Sequence, residues 1–538
     1  MKKHLKLSIL FLLIAIKFIN AQNEPFQLAI VPFSIASLGG IQSFAWGQHN
    51  NKWLIIGGRL DGLHRRQPFA AFDAAGNNNQ LIVVDPVAQQ KWSAPLTSLP
   101  QSMQEQLSST NMQFYQEGDY LYLTGGYGYS SLNANHITYP NLTAVKVVEV
   151  IDAIVNGTPF ANYFRQINDN KFAVTGGYLN KIYDTFYLTG GQNFIGRYNP
   201  MGPDFGPGFF QEYTNAIRKF NLVDDGIAIT INHVEEIIDT NNLHRRDYNV
   251  APQIFAGGQE GLTAFSGVFQ PIIDLPYLNC VNIDSSGYTV NNNFEQYYNH
   301  YHCAHIPLYS SQNNEMHTVF FGGIAQFYDS LQFFIQDDNV PFVKTIARVT
   351  RNGAGEMTEV KLPIEMPSFL GAGSEFIPIE SIPHFSNDVL DLDVISTDST
   401  LLGYIFGGIS STESNIFNIN TGVQSSASNT IFKVYLINNK PTGNIDLNAV
   451  ETSNFKLNIF PNANAGIFKV EFYLTKKSAG KITFINTEGK VLKTDTIDEL
   501  QEGKNVISYD LSNLLKNQLI YITLECAGIK ETKKIVGK

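Results

Sequence analysis

Short apolar runs separated by polar turns recur along the first 440 residues of the chain. Five runs end in a glycine pair, and each follows an earlier apolar stretch across a short polar turn. The five runs are Trp53–Gly58, Leu121–Gly126, Phe186–Gly191, Val319–Gly323 and Tyr404–Gly408. A strand, a tight polar turn and a second strand form a hairpin, and the closing glycines let the chain bend without a Cβ clash. The pattern therefore predicts a repeated β-hairpin.

A sixth copy of the repeat is predicted at Leu262–Gly267, where Ser266 takes the place of the first glycine. Gly257 and Gly258 would give more even spacing, but they lie in a segment that has the composition of a hairpin turn. The pair Gly176-Gly177 is interpreted as lying outside the repeat. The predicted repeat positions are 57, 125, 190, 266, 322 and 407.

Each hairpin is followed by a third strand and often by a fourth. In the fifth repeat Val343–Val349 leads into Met357–Leu362. Four antiparallel strands per repeat make a blade of a β-propeller, and blades arranged around an axis leave few exposed sheet edges. The last repeat has a third strand at Ile431–Leu436 but no fourth, so Leu28–Phe33 is expected to pair with it and close the ring. The prediction is an all-β, six-bladed β-propeller over residues 22–440.

An apolar run that ends in Gly-Gly and is followed by a strand and a tryptophan such as Trp92 resembles the kelch repeat. The glycine pairs match across the predicted propeller, whereas the chain has only three tryptophans. The resemblance implies a kelch-like propeller. Its repeats exceed the roughly 50 residues of ordinary kelch blades, so the extra residues are expected in loops, where binding surfaces usually lie.

Residues 452–538 form short alternating strands with Lys and Gly turns, which is typical of a small β-sandwich. The region also resembles the C-terminal sorting domain of type IX secretion in Bacteroidota, through Pro461-Asn462, the Gly489-Lys490 turn and the Lys-rich end at Lys533–Lys538. Ala463 departs from the family, which usually repeats the proline. The resemblance implies the type IX secretion machinery as a partner, passage across the outer membrane and removal of this domain. The alternative is a carbohydrate-binding or fibronectin-like module.

The first 21 residues predict a secretory signal peptide. A lysine-bearing start precedes the apolar stretch Ser8–Ile16, and Ala21 is a small residue suited to the cleavage position. The apolar stretch is shorter than the ~20 residues that span a bilayer, so no transmembrane segment is expected. The mature protein is predicted to begin at Gln22 and to be secreted or attached to the outer cell surface.

Charge separates the two regions that a predicted linker at 441–451 joins. Residues 22–451 hold 20 basic and 39 acidic side chains, a net charge of −19, whereas residues 452–538 hold 13 lysines and nine acids. A surface as acidic as that of the first region repels phosphate backbones, so nucleic-acid binding is not expected.

Two basic segments stand out within the acidic region. The candidate ligand-binding residues in them are Arg59, His64, Arg65, Arg66, His244, Arg245 and Arg246. If both segments lie at one rim of the axis, they form a cationic patch suited to carboxylate or phosphate, because arginine offers bidentate donors. The favoured alternative is that they form salt bridges between blades.

His300 and His302 are weak candidates for metal ligation. On a strand the two side chains share a face, which is compatible with a metal site. No further ligand is indicated, so polar residues at the entrance of a strand are the favoured alternative.

The chain has three cysteines, Cys280, Cys303 and Cys526. An oxidising compartment allows a disulfide between Cys280 and Cys303, in which case Cys526 has no partner cysteine. Three buried thiols are an equal alternative.

No catalytic motif is recognised, since the chain lacks Gly-x-Ser-x-Gly, HExxH and a phosphate-binding glycine loop. Tyr and His are frequent enough for a copper site like that of kelch-like oxidases, but nothing assigns ligands, so the cofactor is unknown. The sequence favours a secreted or cell-surface propeller whose loops bind a glycan or a protein. The alternatives are a glycan-active enzyme with its site over the axis, and a structural surface protein.

Overall fold

A computed structural model gives the structure of the chain in two compact units, Met1–Asn439 and Lys440–Lys538. It describes residues 24–202, 206, 208–330, 333–395, 399–437, 457–460, 466–474, 476–486, 490–512, 519–526 and 529–536. The predicted signal peptide, the linker, Pro461-Asn462, Ala463, Gly489 and Lys538 lie outside these residues. No helix among them is both long and apolar enough to cross a membrane.

The first unit is all-β. Six of its described sheets have an antiparallel main path of four strands, and we number these as blades 1 to 6; two further sheets of two strands each lie in the long connections of blades 3 and 5. Strand β1 (Gln27–Phe33) opens the unit and belongs to blade 6. Blade 1 contains β2 (Ala45–His49), β3 (Lys52–Ile56), β4 (Gln80–Asp85) and β5 (Gln90–Pro95). Blade 2 contains β6 (Thr110–Glu117), β7 (Tyr120–Ser130), β8 (Asn135–Thr138), β9 (Asn141–Lys146) and β10 (Phe164–Asn168). Blade 3 contains β11 (Tyr178–Ile182), β12 (Thr185–Thr189), β13 (Gln192–Ile195), β14 (Phe210–Tyr213), β15 (Ala216–Asp224) and β16 (Ile229–Ile238).

The remaining three blades follow the same plan. Blade 4 contains β17 (Asn249–Ile254), β18 (Glu260–Phe265), β19 (Cys280–Asp284) and β20 (Gly287–Asn291). Blade 5 contains β21 (His305–Ser310), β22 (Glu315–Phe321), β23 (Phe327–Ser330), β24 (Phe333–Gln336), β25 (Thr345–Arg351) and β26 (Met357–Glu365). Blade 6 contains β27 (Phe369–Pro378), β29 (Ser399–Ser411), β30 (Ser425–Ala427) and β31 (Ile431–Ile437), while the short β28 (Leu390–Asp391) pairs with β21.

Two short helices cover the junction of blades 1 and 2. They are α1 (Gln101–Leu107) and α2 (Val147–Asn156). Helix α2 buries Val150, Ile151 and Ile154 in the apolar cluster that the two blades share. It ends at Gly157, whose left-handed conformation suits a glycine C-cap.

Neighbouring blades are joined by apolar cores, and the last blade packs on the first. Tyr404 and Phe406 of blade 6 lie in one cluster with Trp53 and Ile55 of blade 1. The ring is closed as the sequence predicted, because β1 pairs antiparallel with β31 from Gln27 opposite Ile437 to Phe33 opposite Ile431. The first unit is therefore a β-propeller whose two chain ends complete one blade.

The six predicted repeat positions share one backbone conformation. In each pair both residues have positive φ, including Ser266 at 51° and Gly267 at 105°. In five pairs the second glycine donates its N–H to a carbonyl just before, or at the start of, the first strand of the next blade. These bonds join Gly58 to Ser109, Gly126 to Val174, Gly191 to Arg245, Gly323 to Leu370 and Gly408 to Ile41, at 2.7–3.1 Å. The repeat therefore marks where one blade is attached to the next.

The disulfide alternative between Cys280 and Cys303 is wrong. All three cysteines are free thiols in the buried interior. Cys280 begins a strand of blade 4 and its Sγ lies 3.8 Å from Met357 Sδ, whereas Cys303 Sγ lies 3.8 Å from Asn249 Nδ2. Because the two thiols face different partners, they serve as small packing groups, and burial raises the pKa of both.

The second unit is a β-sandwich with one apolar core. Its strands are β32 (Asn458–Phe460), β33 (Ile467–Leu474), β34 (Ser478–Asn486), β35 (Val491–Leu500), β36 (Gly503–Asp510), β37 (Leu519–Cys526) and β38 (Ile529–Val536). One sheet has the order β32-β33-β36 and the other β35-β34-β37-β38. Phe468 and Phe472 from the first sheet share a core with Phe484 and Ile522 from the second, as expected of two sheets packed face to face.

We expect Gly125→Ala to destabilise the propeller far more than Gly118→Ala. Both glycines have positive φ, which costs an alanine about 1–2 kcal/mol. A Cβ at Gly125 would lie 1.8 Å from the Val174 carbonyl oxygen, whereas nothing lies within 4 Å of a Cβ at Gly118. Urea denaturation followed by tryptophan fluorescence measures the difference, because Trp46, Trp53 and Trp92 all belong to the first unit. Equal losses in the two variants would contradict the attachment role.

Candidate functional site

The strand order places the connection between the second and third main strands of every blade on the same face of the propeller. In an antiparallel blade, the connection from the second main strand to the third lies on the face where the first strand begins. These connections span 57–79, 131–140, 190–215, 266–279, 322–344 and 412–430. We call this face the insertion face. The connections between the first and second main strands lie on the opposite face, which we call the turn face. They are short in blades 1 to 5, whereas the one in blade 6 spans 379–398.

Two cavities follow the axis and meet inside the ring. The insertion-face chamber has a volume of about 390 Å³ and is lined by the long connections and the residues that precede the innermost strands. The turn-face chamber has a volume of about 420 Å³ and is lined by the innermost strands themselves. The chambers share the lining residues Ser43, Asn111, Asp247 and His302. Both volumes fall in the ~300–1,000 Å³ range of small-molecule sites.

The insertion-face chamber combines aromatic rings, amides and charged groups. Its aromatic side chains are Phe72, Tyr127, Phe194, Tyr198, Phe269, Tyr301 and Phe417. Its amides are Gln42, Asn111, Gln192, Gln211, Asn339 and Asn418, and its charged residues are Arg59, Arg246, Asp247, Asp274 and Asp338. Every blade contributes to this lining, so the chamber exists only in the closed ring.

Arg59 lies in this chamber but already has a carboxylate partner. Its Nε and Nη2 donate to the two oxygens of Asp61 at 2.7 and 2.6 Å, and Nη1 donates to Asn77 Oδ1 at 2.7 Å. The guanidinium carbon also lies 5.3 Å from the centre of the Phe72 ring. A bidentate pair of this kind neutralises the arginine and fixes its orientation.

Arg246 reaches the same chamber from blade 4 and is also paired. Its Nη1 donates to Asp247, and its Nε donates to the Tyr213 hydroxyl at 2.9 Å. Burial by itself lowers the pKa of Arg246, but Tyr213 and Asp247 outweigh burial and raise it. The side chain is therefore a charged member of an ion pair.

His64 is the third predicted residue that lines this chamber. Its ring packs edge-on against Tyr198 at 4.7 Å between ring centres, and its Nδ1 is buried without a hydrogen-bond partner. Burial, Arg246 and Arg59 together lower its pKa to about 4, so His64 is neutral at pH 7. The predicted basic segments thus meet through Arg59, His64 and Arg246, but the cationic charge expected of them is compensated.

The other four predicted residues do not line either chamber. Arg65 and Arg66 are exposed, and the Arg66 backbone N–H donates to Asn420. The His244 ring stacks on Tyr213 with 3.7 Å between ring centres. Arg245 is 1% exposed, donates to the carbonyls of Asn242, Ser266 and Asn279, and lies over the Tyr277 ring. Arg245 therefore stabilises blade 4 from inside.

The predicted pairing of His300 and His302 on one face of a strand is wrong. The segment precedes β21 and is not a strand, so the two rings have different surroundings. His300 is fully buried, with Nε2 2.9 Å from the Gln296 carbonyl and Nδ1 accepting from the Gln326 N–H at 3.0 Å. Within the described part of the chain, no group of three or more His, Cys, Asp or Glu side chains is placed to hold a metal ion.

His302 instead forms an ion pair at the junction of the two chambers. Its Nε2 lies 2.8 Å from Glu375 Oε1. Burial by itself lowers the pKa of His302, but Glu375 outweighs burial and raises it above the usual 6.5. The Tyr178 ring packs edge-on against the imidazole at 5.4 Å. His302 lines both chambers, whereas Glu375 lines only the turn-face chamber.

Sequence reasoning did not find Glu375, Tyr178 or the aromatic lining. Each blade contributes only a few axial residues, and these are separated by the full length of a repeat. No local spacing connects them. The one usable signal was the length of the connections, which indicated where a binding surface would form.

The sequence matches no protein-family model and no curated protein. Among solved structures, the one described as "Structure of YjhT" is similar over 74% of this chain and 98% of its own, with 12% identity and a TM-score of 0.40. A "novel fungal alcohol oxidase with catalytic diversity among the AA5 family, in complex with copper" is similar over 95% of this chain and 100% of its own, with 7% identity and a TM-score of 0.37. At these scores the similarities carry no argument about activity, and the propeller is established by its own sheets.

We expect the first unit to lose stability as the pH falls from 7 to 5. Burial lowers the pKa of His64, His300 and His305 to about 4 and that of His317 to about 3. Below pH 6.5 the unfolded chain therefore binds more protons than the folded chain, and stability that is present above this pH is lost towards pH 4. For His300 alone the loss at pH 5 is about 2 kcal/mol. His302 and the buried Glu359, whose pKa values are raised, act in the opposite direction.

The measurement is urea denaturation by tryptophan fluorescence at pH 7 and pH 5, for the parent chain and for His300→Gln. The variant at pH 7 reports the loss of packing alone. Between the two pH values the variant should lose about 2 kcal/mol less than the parent, because its side chain does not titrate. An identical pH dependence in the two proteins would show that His300 is not held neutral.

Proposed function

We propose that the chain is a secreted or cell-surface propeller protein that binds a neutral glycan in the insertion-face chamber. The observation that carries this proposal is the lining of that chamber, where seven aromatic rings stand among six amide side chains. Aromatic faces pack against the C–H faces of sugar rings, and amides both donate and accept hydrogen bonds to hydroxyl groups.

The pairing of the arginines favours a neutral ligand over an acidic one. Arg59 is bound by Asp61 and Arg246 by Asp247, so neither guanidinium lacks a counter-charge. Asp274 and Asp338 add two further acids to the lining. A carboxylate or phosphate would have to displace an existing ion pair in a chamber that already holds more acids than bases, which is unfavourable.

The rim of the chamber supports a ligand longer than the chamber itself. Every long connection carries at least one exposed apolar side chain. These include Phe69, Leu132, Phe210, Ile272, Phe333 and Val423, which are 54–99% exposed. Exposed apolar groups around a cavity are typical of interaction surfaces, and they suit a glycan chain or a glycoprotein that enters the chamber by one end.

A glycan-active enzyme is the second candidate, and the His302–Glu375 pair favours it. The imidazole Nδ1 makes no hydrogen bond among the described residues, and its pKa is raised by Glu375. A histidine of this kind serves as a general base or acid if a substrate reaches it. Incubation of a bound oligosaccharide with the protein, followed by product analysis, separates the two candidates. An unchanged oligosaccharide supports binding alone.

Export by a signal peptide followed by type IX secretion is part of the proposal. It is supported by residues 1–21 and by the resemblance of residues 452–538 to a sorting domain. The described β-sandwich of the second unit is compatible with that resemblance. Surface attachment and release are both consistent with it.

We expect Tyr198→Leu to weaken glycan binding about tenfold, because one aromatic platform of about 1.4 kcal/mol is lost. A glycan array with neutral and uronic-acid oligosaccharides identifies the ligand class, and isothermal titration of the best neutral binder gives the affinity. The matched control is Tyr183→Leu, since Tyr183 is 56% exposed at a turn on the opposite face. Preferential binding of uronic acids, or equal losses in the two variants, would contradict the proposal.

We expect deletion of residues 452–538 to leave the propeller in the periplasm of a host that has type IX secretion. The intact chain should reach the surface or the medium, because the resemblance implies that the type IX secretion machinery recognises this domain. Cell fractionation and immunoblotting measure the distribution. Deletion of residues 2–21 is the control and should retain the chain in the cytoplasm. Surface delivery of the chain without residues 452–538 would exclude a sorting role.

A further inference from the structure

The turn-face chamber differs from the insertion-face chamber in its charge. Its lining contains four carboxylates but no lysine and no arginine. The four carboxylates belong to Asp247, Glu375, Glu380 and Asp388. Asp247 is paired with Arg246, and Glu375 is paired with His302. The walls of this chamber therefore carry acids without a matching set of permanent cations.

Neither Glu380 nor Asp388 forms a salt bridge with a lysine or an arginine among the described residues, although His384 lies near Asp388 and by itself lowers the pKa of its carboxyl. Glu380 accepts the backbone N–H groups of Asn50 and Asn51 at 3.1 and 2.6 Å. Asp388 lies beside the Tyr115 hydroxyl, and the surrounding protein raises the pKa of its carboxyl although it is open to the water of the chamber. A ligand cation near Asp388 would stabilise the ionised carboxylate.

Aromatic rings surround these acids. They are Phe44, Trp46, Phe114, Tyr115, Tyr178, Tyr248 and Phe376. In the other chamber Arg59 lies over Phe72 and Arg246 lies over Phe269. None of the protein's described lysines or arginines lies over a ring of the turn-face chamber. Three of these rings, Phe44, Tyr248 and Phe376, are buried. The other four are partly exposed, and their faces, which attract cations, are available to a ligand.

Two acceptor atoms in the walls also have no partner. Gln113, which is 2% exposed, has an unbonded Oε1, and Asn180 has an unbonded Oδ1. A buried acceptor without a donor destabilises the empty protein. The N–H groups of an ammonium ion are donors of the missing kind, whereas a hydrocarbon offers none.

We propose that the turn-face chamber binds an organic ammonium ion that carries an apolar body. The aromatic rings pack against the apolar body of the ligand, and their faces contact its ammonium group. Asp388 and Glu380 supply the counter-charge. The chamber's volume of about 420 Å³ accommodates such an amine together with some water. This site is separate from the glycan chamber, so neither proposal depends on the other.

The test uses the mature full-length chain and two matched probes, phenethylammonium and its uncharged counterpart 2-phenylethanol. Titration is followed by calorimetry and by the fluorescence of Trp46, which lines the chamber. We expect phenethylammonium to bind at least about tenfold more tightly, since both the carboxylates and the ring faces favour the cation. Equal affinity for the two probes, or no binding of either at millimolar concentration, would overturn the proposal.

Two variants locate the site. Asp388→Asn and Trp46→Leu should each weaken phenethylammonium binding about tenfold. Asp388 has a φ of 65°, a conformation that asparagine also tolerates, so the first variant keeps the backbone. The matched control is Asp184→Asn, an exposed acid at a turn on the same face that does not line the chamber. If Asp184→Asn weakens binding as much as Asp388→Asn, general surface charge explains the affinity and the site is refuted.

The glycan ligand is titrated into the same variants. Unchanged glycan affinity in Asp388→Asn distinguishes a defect in the ammonium site from a defect of the whole propeller. If the parent chain does not bind a glycan, the result for ammonium binding is still valid. The two chambers have different lining residues apart from the four at their junction.

Discussion

The hydrogen bond from the second glycine of one blade to the next blade is the contact on which the propeller depends. It requires two consecutive residues with positive φ and leaves no room for a Cβ, as the 1.8 Å approach at Gly125 illustrates. The bond from Gly408 to Ile41 joins blade 6 to blade 1, so the same device that links neighbours also closes the ring. At Ser266 the chain keeps the left-handed backbone without the glycine.

Closure of the ring creates the site. Each innermost strand contributes its side chains to the axis only because the blades are held side by side. The connections between the second and third main strands all emerge on one face because each blade repeats the same antiparallel order. The two ends of the axis consequently differ in chemistry. One end receives the arginines and amides of the long connections, and the other receives the acids and rings of the innermost strands and of residues 380–390.

The strongly acidic first unit holds the two arginines that line its axis in defined ion pairs. Arg59 with Asp61 and Arg246 with Asp247 bring charge to the axis without creating an anion site. Arg245 is held by backbone carbonyls, and burial lowers its pKa to about 10. An unpaired charge inside a protein is strongly unfavourable. Arg59 and Arg246 therefore order the wall of the insertion-face chamber, and the charge that remains without a counter-ion along the axis is acidic.

The sequence by itself determined the all-β repeat, the repeat positions including Ser266, and the strand at the N-terminus that completes the last blade. These features follow from local rules, because apolar alternation and glycine conformation act within a few residues. Only the tertiary structure decided that Arg59, His64 and Arg246 meet while Arg65, Arg66, His244 and Arg245 do not. It also decided that Cys280 and Cys303 remain thiols and that His302 pairs with Glu375. Those outcomes depend on which side chains of distant blades point to the axis, and a difference of one position in a strand moves a side chain to the other face of its sheet.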